Sequence, residues 1–148
     1  MGILDNIRIL SGNKQIADSP APTETASKKR VLIVEDEKML SDALAFKLSN
    51  SGFDVLTAEN GQIGLELAVS QKPNLILLDL MMPVMDGKAM LRRLREFPQF
   101  KTIPVIVLTN AGDVHSMMET KTYYNANEFL IKSNVTPDQI VKKIRELT

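Results

Sequence analysis

The sequence predicts an α/β fold, a parallel sheet of five strands with five helices that cover both of its faces. From residue 30 onward, short apolar runs alternate with segments of helical periodicity. Residues 75–78 are an unbroken apolar run, which is typical of a strand covered on both faces. Strands that alternate with helices of about three turns indicate parallel pairing through right-handed crossovers.

The predicted strands are short stretches rich in apolar and β-branched residues. They are RVLIV at 30–34, FDVLTA at 53–58, NLILLD at 74–79, IPVIVLT at 103–109 and NEFLIK at 127–132. Each is short enough for a strand and is followed by polar or turn-forming residues. The intervals between them leave room for one helix after each strand.

The predicted helices occupy residues 37–52, 60–72, 86–97, 113–125 and 136–148. Gly52 is expected to cap the end of the first, and Pro73 and Pro98 to stop the second and third. Thr136 is expected to cap the start of the last helix, with Pro137 in its first turn. These signals define five βα units.

Length and composition limit the possible functions. The chain has 148 residues, which favours one domain, and its 18 Lys and Arg residues balance 18 Asp and Glu residues. A neutral chain has no general attraction for nucleic acid, so direct binding to DNA is not expected. The chain has no cysteine, which excludes disulfides and thiolate chemistry and fits a cytoplasmic protein. No apolar run approaches the roughly 20 residues of a membrane span.

Residues 1–29 are predicted to be a flexible N-terminal extension, and residues 30–148 the folded domain. The stretch 11–29 is rich in Ser, Thr, Ala and Pro and has few large apolar groups, so it reads as a tether. Before it, Ile3, Leu4, Ile7 and Leu10 recur at helical spacing. This spacing predicts either a frayed terminus, which we favour, or a short amphipathic segment that docks on the domain or on a partner.

Polar side chains follow several of the predicted strands. Glu35 and Asp36 come after the first strand, Asp79 ends the third, Thr109 ends the fourth, and Lys132 ends the fifth. The carboxyl ends of parallel strands lie along one edge of the sheet, so these side chains are expected to converge. Clustered carboxylates with one lysine nearby suit Mg²⁺, which prefers hard oxygen ligands.

Four segments carry a resemblance to a known family. VLIVEDE, LILLDLMMPVMDG, VIVLTN and FLIKS resemble, in order and spacing, the signature segments of the receiver domain of two-component response regulators, of the stand-alone type that includes chemotaxis regulators. The resemblance covers residues 30–148 and implies a doubly wound, flavodoxin-like sheet with the strand order 2-1-3-4-5. It implies that Asp79 accepts a phosphoryl group from a sensor histidine kinase or a phosphotransfer protein.

The resemblance assigns metal-binding roles to the acidic residues. Asp36 and Asp79 correspond to direct Mg²⁺ ligands, and Glu35 corresponds to the acid that reaches the metal through water. The backbone carbonyl of Met81 would complete the protein's share of the coordination. Magnesium is therefore the expected cofactor.

The resemblance also assigns catalytic and switching roles. Lys132 would contact Asp79 and then a phosphoryl oxygen, and the Thr109 hydroxyl would donate to another. Phe129 matches an aromatic position that rotates inward when the threonine moves. A downstream protein would then bind the face formed by the fourth helix, fifth strand and fifth helix.

The chain departs from the family pattern at several positions. Proline usually follows the lysine, but here the residue is Ser133, which favours a trans peptide bond because a non-proline cis bond costs roughly 3 to 4 kcal/mol. Glu35 replaces the more common aspartate, and Asn110 stands where small residues are usual. Met81 and Ala111 occupy the positions that help to place the hydrolytic water. Neither side chain forms strong hydrogen bonds, so slow self-dephosphorylation is expected.

The leading hypothesis is a single-domain response regulator rather than an enzyme, because no output segment follows the last helix. One alternative is a receiver-like interaction module that is never phosphorylated, which Asn110 and Ser133 leave open. A weaker alternative is a phosphatase with an aspartate nucleophile. Such haloacid-dehalogenase-like enzymes need a second aspartate two residues later, where this chain has Met81.

Overall fold

The computed structural model describes residues 27–110 and 114–148. The chain forms β1 Arg30–Val34, α1 Lys38–Asn50, β2 Asp54–Ala58, α2 Gly61–Gln71, β3 Leu75–Asp79, α3 Gly87–Arg95, β4 Val105–Thr109, α4 Val114–Tyr124, β5 Glu128–Ile131 and α5 Pro137–Leu147. A 3₁₀ turn, Pro98–Phe100, lies between α3 and β4. Nearly all of the predicted extension, residues 1–26, lies outside the described residues.

The five strands form one parallel sheet in the order β2-β1-β3-β4-β5. This confirms the predicted doubly wound, flavodoxin-like fold. The order places β1 and β3 side by side, with Val34 opposite Leu78. The residues that follow β1 and end β3 are therefore neighbours at the carboxyl edge of the sheet.

The core consists of two apolar layers, one on each face of the sheet. Alternate side chains of the central strands enter opposite layers because side chains of a strand point to opposite faces in turn. Ile76 and Leu78 pack with residues of α2 and α3, whereas Leu75 and Leu77 pack with residues of α1 and α5. The full burial of β3 on both faces explains its unbroken apolar sequence.

The ends of the elements follow local chemistry. Gly52 adopts a φ of +98° just after α1, a left-handed conformation that favours glycine. Thr136 accepts from the Gln139 amide, and the Gln139 side chain accepts from the Thr136 amide, so α5 begins with a capping box. The α3 helix ends at Arg95, earlier than predicted, because Pro98 disfavours a helical conformation for Phe97, which is extended before the separate 3₁₀ turn.

Arg95 ties the end of α3 to two neighbouring connections. Its guanidinium donates to the carbonyls of Phe100 at 2.7 Å, Tyr124 at 2.9 Å, Ile103 at 2.9 Å and Asn125 at 3.0 Å. Partial burial lowers the pKa of Arg95, yet these carbonyls accept from four of its five N–H groups. The segments entering β4 and β5 are thus fixed relative to α3.

Among the described residues, no helix is long and apolar enough to cross a membrane.

Candidate functional site

Three carboxylates meet at the carboxyl edge of the sheet. Glu35 and Asp36 follow β1, and Asp79 is the last residue of β3. One carboxylate oxygen from each lies within 4.8 Å of the others. Glu35 and Asp79 are buried, with 2% and 3% of their surfaces exposed, whereas Asp36 is exposed. The cluster therefore opens to solvent on the side of Asp36.

Lys132 extends from the residue after β5 into this cluster. Its Nζ lies 2.8 Å from Oε2 of Glu35 and 3.3 Å from Oδ2 of Asp79. The lysine backbone amide donates to the carbonyl of Thr109 at 2.8 Å, which fixes the start of the side chain beside β4. The sequence predicted the contact with Asp79, but the lysine is closer to Glu35.

Burial is the main influence on the Glu35 carboxyl. It raises the pKa of Glu35 to about 7, against the opposing effects of Lys132 and of the Glu37 amide. Oε1 accepts from that amide at 3.0 Å. Oε2 lies 2.8 Å from Nζ of Lys132, which is close enough for an ion pair, but it has no hydrogen-bond partner among the described residues.

Asp79 is held in a similar environment. Burial raises its pKa, while the charge of Lys132 and a hydrogen bond from the Met81 amide oppose the rise. That amide donates to Oδ1 at 3.2 Å. The two carboxylates in turn raise the pKa of Lys132, although burial acts in the opposite direction. The lysine is therefore held as an ammonium ion between two acids.

Two glycines allow the loop after β3 to fold tightly against its neighbours. A Cβ atom on Gly87 would lie 2.1 Å from the backbone oxygen of Asp79, and one on Gly61 would lie 2.5 Å from that of Met85. Asp86 caps α3 by accepting from the Ala89 amide at 2.7 Å. The sequence motif MDG thus contains a capping aspartate and a glycine that the close approach requires. Both serve to position Asp79.

Thr109 and Phe129 lie on the neighbouring strands β4 and β5. Asp79 pairs in register with Leu108, so Thr109 extends one residue farther along the same edge. Thr109 is fully buried, and its hydroxyl donates to the carbonyl of Asn110 at 3.3 Å. Phe129 is half-buried at the margin of the core layer that contains α2 and α3. It is therefore neither a fully buried core residue nor a fully exposed one.

The positions that depart from the family pattern differ in what the structure shows. All peptide bonds of the described residues are trans, including Lys132–Ser133, as the sequence favoured. Met81 is 63% exposed, and Asn110 is also exposed. Ala111 lies outside the described residues.

The donor set fits a divalent cation. Three carboxylates and one ammonium leave two uncompensated negative charges when all four groups are ionised. Glu35 Oε2 is buried without a hydrogen-bond partner among the residues described, a condition that a cation or its bound water relieves. Hard oxygen ligands open to water on one side are typical of Mg²⁺ sites.

Two features of the site were not predicted from the sequence. One is the short approach of Lys132 to Glu35, for which the extra methylene of glutamate was the available signal. The other is the hydrogen bond from the Met81 amide to Asp79, because the family pattern assigns a role only to the carbonyl of Met81. Amide donation to a strand-end carboxylate depends on the turn and not on the residue type.

Solved structures with the same fold include chemotaxis proteins. The chain resembles the chemotaxis protein CheY4 of Vibrio cholerae with a TM-score of 0.76 and 26% identity, over 82% of this chain and 100% of the other. It resembles a putative response regulator from Chloroflexus aurantiacus with a TM-score of 0.75 and 26% identity, over 82% and 98% of the two chains.

Similar sequences include regulators of transcription. A probable transcriptional regulator ycf27 of Cyanophora paradoxa is 35% identical over 82% of this chain and 48% of its own length. The DNA-binding regulator RpaA of Synechocystis is 39% identical over 61% of this chain and 37% of its own length. This chain thus spans about half or less of these relatives. The family model for the response regulator receiver domain matches residues 31–145. The chain therefore belongs to the family of response regulator receiver domains.

Proposed function

We propose that this chain is a phosphorylation switch in which Asp79 accepts a phosphoryl group from a phosphohistidine. The donor would be a sensor histidine kinase or a phosphotransfer protein. The main supporting observation is the convergence of Glu35, Asp36, Asp79 and Lys132 at one edge of the sheet. A carboxylate oxygen of Asp79 attacks phosphorus, the bond from phosphorus to the histidine nitrogen breaks, and an aspartyl phosphate results.

The metal that receiver domains bind is Mg²⁺, and the acidic cluster of this chain suits it. Asp36 and Asp79 would hold the ion with the Met81 carbonyl, and Glu35 would reach it through water. When bound, Mg²⁺ neutralises charge on the phosphoryl oxygens. Because the donor set includes the acceptor itself, metal and phosphoryl group would be held at the same place.

Lys132 and Thr109 supply the remaining positive charge and hydrogen-bond donation. Phosphoryl transfer depends mainly on in-line positioning and on stabilising charge on the equatorial oxygens. The ammonium of Lys132 already lies 3.3 Å from the acceptor carboxylate. We propose that the ammonium moves from the two acids to a phosphoryl oxygen. The Thr109 hydroxyl, which donates to the Asn110 carbonyl, would donate to a second phosphoryl oxygen instead.

The proposed output is a change on the face formed by α4, β5 and α5. Movement of Thr109 would draw the half-buried Phe129 inward and so alter this face. Exposed apolar side chains lie on α4, where Met118 is 65% and Tyr123 is 74% exposed. A coupling of roughly 1 to 3 kcal/mol between the two sites is enough for a useful switch. A downstream protein would read the change.

A phosphoryl mimic tests this output. With Mg²⁺ and beryllofluoride, amide shifts should spread from Asp79 through Thr109 to Phe129 and Tyr123. The same titration with Asp79→Asn should leave that face unshifted. Shifts confined to the loops around the carboxylates would contradict the proposed coupling.

The named relatives act on transcription, but this chain spans about half or less of their length. Because this chain has no net charge to attract nucleic acid, we propose a protein partner for the switch and no direct contact with nucleic acid, in a cytoplasmic setting. Self-dephosphorylation would be slow, because the exposed Met81 side chain offers no strong hydrogen bond to an attacking water.

The interaction module that is never phosphorylated remains the main alternative. It predicts that no phosphoryl group is acquired from any donor. The phosphatase alternative predicts continuous turnover of a phosphomonoester, which requires a second acid where Met81 stands. The buried acidic cluster with its lysine favours the phosphorylation switch over both.

A further inference from the structure

An apolar stripe runs along the outer face of α1. Met39 is 84% exposed, Phe46 is 73% exposed, and Ala43 between them is also exposed. Residues at i, i+4 and i+7 share one face of a helix, so these three side chains form a continuous surface about 10 Å long. We call it the α1 stripe. Large apolar groups grouped on an exposed face are typical of an interaction surface.

The α1 stripe is not part of the core or of the acidic cluster. The opposite side of the helix supplies Leu44 and Leu48 to the core, as an amphipathic helix should. Met39 and Phe46, at 84% and 73% exposed, contribute little to the core and leave this face of α1 open to a covering segment.

The N-terminal part of this chain has the complementary pattern. Ile3, Leu4, Ile7 and Leu10 fall at helical spacing, and the side chains of residues 1–10 include one acid, Asp5, and one base, Arg8. Such a segment presents an apolar face without net side-chain charge. The pair formed by Lys38 and Asp42 beside the stripe is likewise balanced, so charge does not oppose an approach.

The start of the described chain lies next to the end of α1. The Lys29 carbonyl accepts from the Asp54 amide at 2.9 Å, and Asp54 follows the end of α1 by four residues. Phe46 lies about one turn before that end. Residues 11–28, treated as a flexible chain, span on average about 23 Å, which is enough to bring residues 3–10 to the stripe.

Tethering makes even weak binding effective. A short flexible linker gives the tethered segment an effective concentration on the order of millimolar. A segment with a dissociation constant in that range is then bound about half of the time, whereas the same peptide added at micromolar concentration would stay free. No high intrinsic affinity is required.

We propose that residues 3–10 bind as an amphipathic helix on the α1 stripe of the same molecule. Met39 follows Asp36 by three residues, so the covered surface adjoins the carboxylates.

A spin label tests the docking directly. Because the chain contains no cysteine, Ser11→Cys introduces a single thiol that carries a nitroxide. In the full chain, the nitroxide should weaken the amide NMR signals of residues 39–46 and leave those of α4 and β5 at full intensity. Ile7→Asp combined with Leu10→Asp should restore the α1 signals.

Matched variants and a mixed sample exclude other occupants. Phe46→Asp should restore the α1 signals, and Tyr123→Asp, at a similarly exposed aromatic residue on α4, should not. Losses that are spread evenly, lie elsewhere, or persist in the Ile7→Asp, Leu10→Asp chain would overturn the proposal. A mixture of isotope-labelled cysteine-free chain and unlabelled nitroxide chain should show no loss. Loss of signal in that mixture would show that the segment binds a second copy of the chain and would overturn the proposal.

Discussion

The ammonium nitrogen of Lys132 lies 2.8 Å from Oε2 of Glu35, and both side chains are largely buried. Lys132 follows β5 and Glu35 follows β1, so the long lysine side chain spans the ends of β3 and β4 to make this contact. Without a cation, the lysine is shared between Glu35 and Asp79. Glu35 is therefore part of the charge balance that a metal ion and a phosphoryl group would alter.

Glu35→Gln is expected to weaken Mg²⁺ binding by about 10- to 100-fold, the usual effect of losing a partner in the outer shell of a metal site. The change keeps the size of the side chain and removes one of the negative charges that attract the cation. Isothermal titration calorimetry measures the affinity. Glu37→Gln is the matched control, because Glu37 is exposed and its side chain makes no capping hydrogen bond. Equal affinities in both variants would contradict a role for Glu35.

In the metal-free protein, Glu35 is expected to lower the free energy of unfolding as the pH rises. Burial raises the pKa of Glu35 from 4.5 to about 7, so the native state keeps a proton that the unfolded chain releases between these values. The contribution of Glu35 to the free energy of unfolding therefore falls as pH rises from 4.5 to 7. Urea denaturation in EDTA should show wild type losing stability relative to Glu35→Gln across this range. A relative gain would contradict the raised pKa.

Met81→Asn is expected to shorten the lifetime of the phosphorylated protein. Asparagine can hydrogen-bond an attacking water, whereas the exposed methionine thioether offers at most a weak acceptor. Decay of phosphoprotein after removal of the donor measures the effect. Met118→Asn, at a methionine of similar exposure on α4, should decay as wild type does. Equal rates in all three proteins would show that Met81 does not control the water.

Gly87→Ala is expected to destabilise the domain by about 1 to 3 kcal/mol and to reduce phosphorylation, because overpacking forces the backbone to shift. The added Cβ would lie 2.1 Å from the backbone oxygen of Asp79. Lys88→Ala, at the next residue, removes only a partly exposed ion pair with Glu119 and should leave phosphorylation unchanged. Thermal unfolding and donor labelling give the two readouts. Wild-type behaviour of Gly87→Ala would contradict this account of the loop.

Much of the fold was predictable because its signals are local. The apolar run at 75–78 indicates a strand buried on both faces, and Thr136 with Pro137 marks a helix start. The convergence of Asp79 with Glu35 and Asp36 then follows from parallel pairing, since every strand ends at the same edge. The elements that a short stretch of residues determines were therefore predictable from the sequence.

The features that could not be predicted from the sequence depend on which side chains come into contact across the fold. Arg95 stands in the run RRLR with Arg92 and Arg93, and nothing in its residue type distinguishes the partly buried guanidinium from its exposed neighbours. The preference of Lys132 for Glu35 likewise depends on side-chain conformations at two distant strands. The tether and the amphipathic segment before it, residues 1–26 in particular, stay a prediction.

Intact mass measurement after incubation with Mg²⁺ and acetyl phosphate tests the central claim most directly. Wild type should gain the mass of one phosphoryl group with Mg²⁺ and should gain none when EDTA is present during the incubation. The Asp79→Asn variant should gain none under either condition. Asp86→Asn is the control within the same loop, because asparagine caps a helix about as well as aspartate, and it should be labelled like wild type. Labelling of Asp79→Asn to the level of wild type, or no labelling of wild type, would contradict the assignment of Asp79 as the acceptor.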